Sequence, residues 1–258
     1  MHVYLCLWLK PKFMTDPKSL DILAFAAHPD DVEISCAGTL IKASEAGRRI
    51  GIVDLTRGEL GSRGSAELRS QEAAAASTKL GLIYRENLAL ADGFFEINEA
   101  NKLAIVRCIR RWRPKVVLCN APHDRHPDHG RAHQLVADAC FLSGLLKIET
   151  HDENGELQKA YRPEQVYAYI QDDYIKPDLV VDIQGYWDKK MEVLLCYGSQ
   201  FFQQGISGPQ TPISSKEFLE FLYGRCLQYG REASITIGEG YLTLRVPHMT
   251  QIDSLCKK

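Results

Sequence analysis

Alternation is the feature that most restricts this chain. Through its first 145 residues, short apolar runs that read as buried strands take turns with segments whose apolar residues recur at helical spacing. Strand signals fall at residues 21–27, 50–55, 87–90 and 116–119, and helical ones at 31–47, 66–80, 98–112 and 130–145. Gly47 and Gly81 suit helix C-termini, and Pro114 ends the third helical segment. A β-α-β-α order joins neighbouring strands by right-handed crossovers. It therefore predicts an α/β fold: a Rossmann-like, mostly parallel sheet with helices on both faces. Ligands of such sheets gather at the carboxyl ends of the strands. No G-x-G-x-x-G follows the first strand, so the topology alone does not argue for a dinucleotide.

After residue 150 the texture changes. Residues 166–169 and 179–183 read as further strands, 187–197 and 216–229 as helices, and 207–212 as a Gly/Pro loop. No linker or repeat divides the chain, so residues 19–258 are expected to form one domain whose second half lines its pocket. Residues 1–18 read as an N-terminal extension, an upstream stretch or poorly ordered tail; a short added edge strand is the alternative for 1–13. A chain of 258 residues buries a full core without staples. Its eight cysteines are dispersed, with no C-x-x-C, and most lie in apolar contexts, which predicts reduced thiols and a cytoplasmic location. A net charge of -2 gives no pull toward nucleic acid or anionic membrane. No run approaches the roughly 18 apolar residues of a membrane span.

The chemistry concentrates in three loops, each following a predicted strand. The first is His28-Pro29-Asp30-Asp31, the second Arg57-Gly58-Glu59-Leu60-Gly61-Ser62-Arg63-Gly64, the third His123-Asp124-Arg125-His126-Pro127-Asp128-His129. An imidazole and two adjacent carboxylates at the end of a buried strand are costly to desolvate unless a cation compensates. Parallel strands point their ends one way, so the loops converge although about 100 residues separate the first from the third. A catalytic zinc commonly takes three N/O ligands and leaves a position open. His28 and Asp31, three apart, suit two ligands on a turn entering a helix, and the third loop offers another imidazole. Of two adjacent aspartates, one can ligate while the other moves a proton. Arg69, within Glu67-Leu68-Arg69, reads by default as a solvated helix residue.

Two of these motifs, Ala27-His28-Pro29-Asp30-Asp31-Val32-Glu33 and His126-Pro127-Asp128-His129, are complete marks of one family. The chain resembles the zinc-dependent N-acetylglucosamine deacetylases of the LmbE/PIG-L family over about residues 19–245. Further blocks, including Thr56-Arg57-Gly58-Glu59-Leu60, Tyr197-Gly198-Ser199-Gln200-Phe201, Thr211-Pro212 and Glu239-Gly240-Tyr241, resemble its branch acting on N-acetylglucosaminyl-malate in bacillithiol biosynthesis. The resemblance implies that His28, Asp31 and His129 hold Zn2+, with Fe2+ accepted by the same set. It implies that Asp30 is the general base and that His126 stabilises the oxyanion or protonates the leaving amine. Asp128 would orient His126, while Arg69 and Arg63 would contact substrate. The expected partner is a small amino-sugar substrate, and self-association as a trimer or hexamer is expected by resemblance. Relatives often carry a tyrosine shortly after the Thr-Pro block; here Ile213-Ser214-Ser215-Lys216-Glu217-Phe218 has none. The rival readings are a chito-oligosaccharide deacetylase, a non-catalytic sugar-binding module, and a two-metal phosphoesterase, which would need more carboxylates than these loops offer.

Overall fold

A computed structural model describes residues 19–202, 204–205 and 208–247. The expected extension at 1–18 lies outside the described residues, as does part of the loop at 207–212. The elements follow the chain as β1 (Ile22–Ala26), α1 (Asp31–Glu45), β2 (Ile50–Thr56), α2 (Ala66–Leu80), β3 (Tyr84–Leu90), α3 (Glu99–Trp112), β4 (Val116–Asn120) and α4 (Pro127–Leu142). They continue as β5 (Gln165–Tyr169), β6 (Leu179–Asp182), α5 (Trp187–Leu194), α6 (Lys216–Glu232) and β7 (Gly238–Thr243). The strands form one sheet in the order β3-β2-β1-β4-β5-β7-β6. From β3 to β5 every pairing is parallel, while β7 runs antiparallel to both β5 and β6.

The two faces of β1 show how the layers are built. Ala24 and Ala26 pack toward α1, α2, α5 and α6, while Leu23, Phe25 and Ala27 pack toward α3 and α4. Successive side chains of a strand point to opposite faces, and a strand covered on both sides reads as a continuous apolar run. Helix ends follow local chemistry. The Ser65 side chain accepts from the Leu68 N–H at the start of α2, and Gly81 closes that helix in the left-handed conformation, φ 68.

Two expectations are corrected, and one strand is new. Helix α4 starts at Pro127, not at residue 130, because proline fits the first helical position and the ring of His126 caps it by accepting the Asp128 N–H. The Asp128 and His129 side chains therefore project from a helix N-terminus. Strand β3 extends back to Tyr84; at a sheet edge, its polar residues Arg85, Glu86 and Asn87 do not disqualify it. Strand β7 carries two glycines that mask its strand character. A Cβ at Gly240 would meet the Tyr229 ring of α6 at 2.9 Å, so the strand's lack of side chains there lets the helix approach.

Candidate active site at the strand ends

The chain leaves β1 for α1 on one side and returns through β4 on the other, which places a topological switch between these neighbours. A cleft of about 400 Å3 opens over that point. All five parallel strands contribute to it: His28, Asp30 and Asp31 follow β1, Leu60 follows β2, Asp92 follows β3, His126 and His129 follow β4, and Gln171 follows β5.

Backbone geometry separates the two aspartates of the first loop. Asp30 is the N-cap residue of α1, yet it sits at φ 123 and its side chain makes no capping bond. Such a conformation is strained for a residue with a Cβ and is held by its surroundings. Arg69 supplies part of the hold: its Nη1 donates to the Pro29 carbonyl at 3.0 Å and to Asp30 Oδ2 at 3.3 Å. Far from being solvated, Arg69 is only 5% exposed. Gly58 and Gly61 wrap its guanidinium, where a Cβ would stand 3.2 and 3.3 Å from its nitrogens. Burial pushes the Asp30 carboxyl up to about 7, with Asp31 and Glu33 adding to the rise and Arg69 opposing it.

Asp31 turns the other way. Its Oδ2 accepts from the His28 N–H at 2.9 Å and the Asn120 amide at 3.0 Å, and its Oδ1 accepts from Gln171 Nε2 at 2.8 Å. Two imidazoles flank it, with His28 Nδ1 3.7 Å from Oδ2 and His129 Nε2 3.3 Å from Oδ1. The outward nitrogen of each ring meets carboxylates. His28 Nε2 lies 3.0 Å from Asp92 and 3.3 Å from Asp128, and His129 Nδ1 lies 2.6 Å from Asp124. Burial alone would lower both imidazoles; the carboxylates outweigh it, holding His28 well above its usual value and raising His129 to about 9. Burial would raise Asp31, but the two imidazoles hold it well below the usual carboxylate range.

His126 stands apart. It packs edge-on to His28, ring centroids 4.6 Å apart, and its Nδ1 accepts the Asp128 N–H at 3.2 Å. The neutral ring therefore carries its proton on Nε2. Burial, with His28 and His129 close by, lowers its pKa. Among the described residues, two groups bring ligand atoms within 4.8 Å of one another: His28, His126 and His129, and His28, Asp92 and Asp128. The site thus gathers donors able to hold a metal.

Two expected contacts fall elsewhere. The Asp128 carboxylate does not reach His126; at the start of α4 it is engaged by the Gly93 N–H at 2.8 Å, Arg131 at 2.6 Å and His28. The Arg63 nitrogens Nε and Nη1 donate to the carbonyls of Ser199 at 2.6 Å and Pro209 at 3.0 Å, so this side chain braces a loop beside the cleft. Glu33 of the first motif faces away from the cleft and is held by Arg85 at 2.6 Å and the Tyr197 hydroxyl at 2.9 Å. No tyrosine lines the cleft among the described residues; Ile213 occupies that wall. Asp92, Asn120 and Gln171 carry no motif. The available signal was their position, each within two residues of a strand's carboxyl end.

Comparison with known proteins gives this geometry its context. Residues 23–140 match the PIG-L family model, described as GlcNAc-PI de-N-acetylase. Diacetylchitobiose deacetylase of Thermococcus kodakarensis is 27% identical over 190 residues, 70% of each chain. The probable N-acetyl-alpha-D-glucosaminyl L-malate deacetylase 2 of Bacillus anthracis is 26% identical over 194 residues, 70% of this chain and 81% of that one. In structure, the conserved protein TT1542 of Thermus thermophilus superposes with a TM-score of 0.77 at 34% identity, covering 90% of this chain and 98% of that one. With both family motifs facing one cleft on the shared fold, the chain belongs to the PIG-L/LmbE family and is an amide hydrolase of the deacetylase type.

Proposed function

We propose that the cleft removes the acetyl group from an N-acetylglucosamine conjugate, N-acetylglucosaminyl-malate in the first instance, with a chito-oligosaccharide as the alternative. One observation carries the reading. Two imidazoles, His129 buried and His28 partly so, each with its outer nitrogen on a carboxylate, turn their inner nitrogens onto Asp31, while Asp30 keeps its carboxylate in the same cleft but outside that cluster. Carboxylates behind the ligating histidines are the usual outer shell of a metal site, fixing ring tautomer and orientation. Two imidazoles and a carboxylate suit zinc, and Fe(II) is accepted by the same donors. His28, Asp31 and His129 would hold the ion, which when bound supplies a Lewis acid for the acetyl carbonyl and lowers the pKa of water to about 7.

The chain's own groups then divide the proton transfers. Arg69 holds Asp30 through Oδ2, leaving Oδ1 to take the proton of the attacking water. His126, protonated at Nε2, donates to the oxygen that gains charge as the carbonyl is attacked. A proton from Asp30 or His126 then reaches the departing amine, giving acetate and a free glucosamine. The Bacillus anthracis relative, whose name specifies a malate conjugate, favours a carboxylate-bearing aglycone, and Arg125, exposed on the cleft wall and paired with Asp172, is the cation placed to meet it. Mass spectrometry of each conjugate incubated with the enzyme tests the proposal. The malate conjugate should lose one acetyl faster than diacetylchitobiose, and Asp30→Asn should lower kcat about 10²- to 10⁴-fold with metal per chain unchanged. Absence of acetate from any N-acetylglucosamine conjugate, or full turnover by Asp30→Asn, would overturn it.

A further inference from the structure

The mouth of the cleft holds two side chains that the hydrolytic mechanism does not use. Phe94 is 76% exposed and Leu60 is 61% exposed, and both line the cleft that contains His28, Asp30 and His126. Scattered exposed apolar residues are ordinary. These two differ because they come from separate loops and are brought together on one rim: Leu60 Cδ1 lies 3.3 Å from the position a Cβ on Gly93 would take.

Their backbone is fixed at every step. Leu60 N–H donates to Asp92 Oδ2 at 2.8 Å, and Asp92 N–H donates to Glu59 at 3.1 Å. Gly93, at φ +71, donates its N–H to Asp128 at 2.8 Å and receives Arg131 at its carbonyl at 3.0 Å. Phe94 N–H closes the turn on the Ala91 carbonyl at 3.1 Å. The next residue, Phe95, is buried at 3% exposure with the Arg131 guanidinium 5.2 Å from its ring centre. Phe95 anchors the turn in the core, and Phe94 is thereby presented to the cleft on a rigid support. Asp92 and Asp128, which hold this turn, also hold His28, so the distance from rim to floor is set by shared bonds.

We infer that Phe94 and Leu60 form a ledge for the apolar face of the substrate's glucosamine ring. The inference rests on the functional reading above and adds how the sugar is oriented. A pyranose presents polarised C–H groups on one face and hydroxyls around its edge. An aromatic ring with a negative face accepts the former, and apolar contact is gained without desolvating the latter. With the acetamide at the floor, the ring attached to it must leave through this mouth. Ledge contacts are made equally in ground state and transition state, so they govern KM more than kcat.

The test compares Phe94→Ala, Leu60→Ala and Phe94→Trp in steady-state deacetylation of the best N-acetylglucosamine conjugate, with acetate inhibition measured alongside. Acetate needs only the floor. Phe94→Ala is expected to raise KM about tenfold, Leu60→Ala less, with kcat and acetate inhibition unchanged and Phe94→Trp near wild type. Unchanged KM in Phe94→Ala, beside an active wild type, overturns the ledge and leaves the deacetylase reading standing. A parallel loss of acetate inhibition, or a changed molecular mass in solution, also overturns it, assigning the side chain to floor geometry or to a subunit contact. A wild-type protein that cleaves no such conjugate removes both readings.

Discussion

Asp124 and Asp30 show how much a single carboxylate depends on its neighbours here. Asp124 sits 2.6 Å from His129 and also accepts the Asp173 N–H at 2.7 Å, so it joins the third loop to the chain that leaves β5. Burial would raise it, but its bonds to His129 and those backbone groups hold it below the usual range. Asp124→Asn keeps the shape and removes the charge behind the imidazole. Metal affinity is expected to fall about 10- to 100-fold, measured by competition with a colorimetric chelator. An unchanged affinity would show that His129 needs no carboxylate behind it. At this scale the sequence exposed the residues whose chemistry is written contiguously. His28, Asp30 and Asp31 occur in one run, His126 and His129 in another, and their types alone signal a cation. Asp92, Asn120 and Gln171 were hidden because each is a single polar residue whose partner lies far away in the chain. Asn120 reaches Asp31 across 89 positions and Gln171 across 140. The Asp128 carboxylate was misassigned for a related reason: residues 126 and 128 are close in sequence, but the helix start sends their side chains apart.

Helix α1 is not one continuous rod. Cys36 departs to φ -140, and the amides that the kink frees, those of Gly38 and Thr39, donate to Glu239 of β7 at 3.0 and 2.7 Å. Glu239 thus serves as a cap delivered from across the sheet, and Lys190 of α5 neutralises it at 2.6 Å with both side chains fully buried. Removing one charge strands the other. Glu239→Ala is therefore expected to destabilise the fold by about 3–5 kcal/mol in urea titration, and the double change Lys190→Met, Glu239→Gln should recover much of the loss. A double variant no more stable than Glu239→Ala would locate the importance of the pair in the caps alone. None of this is visible in the apolar spacing of residues 31–47, which reads as a plain helix. Periodicity reports which face is buried, whereas a kink depends on a partner contributed about 200 residues later. The Glu239-Gly240-Tyr241 block had stood out only through resemblance, and its physical basis is this cap together with the close approach of Tyr229.

Across the whole molecule, the two apolar layers that clasp the sheet are filled by aliphatic and aromatic side chains from every helix, while the candidate ligands sit above the strand ends. Chelation is accordingly expected to abolish acetate release with the far-ultraviolet circular dichroism unchanged. Zinc should then restore turnover and raise the melting temperature in proportion to its free concentration. A chain that unfolds on chelation would mean that the ion supports the fold itself. Alternation of strand and helix made the sheet, its parallel core and the location of the cleft readable in advance. At the antiparallel end, β6 was read as a strand at 179–183 but its direction was not, and β7 was missed because Gly238 and Gly240 break its apolar pattern. Among the described residues no helix is long and apolar enough to cross a membrane. The order of strands at the cleft has one more consequence. The groups proposed to hold the ion come from β1 and β4 and are steadied from β3 and β5, and the rim comes from the turns after β2 and β3. Reactivity and preference are thereby tied together at Asp92, which belongs to a rim turn and also backs His28. A redesign of the rim turns to admit a different sugar partner must therefore keep Asp92 and the glycines that enclose Arg69, because altering them disturbs His28 and Asp30 together with the rim.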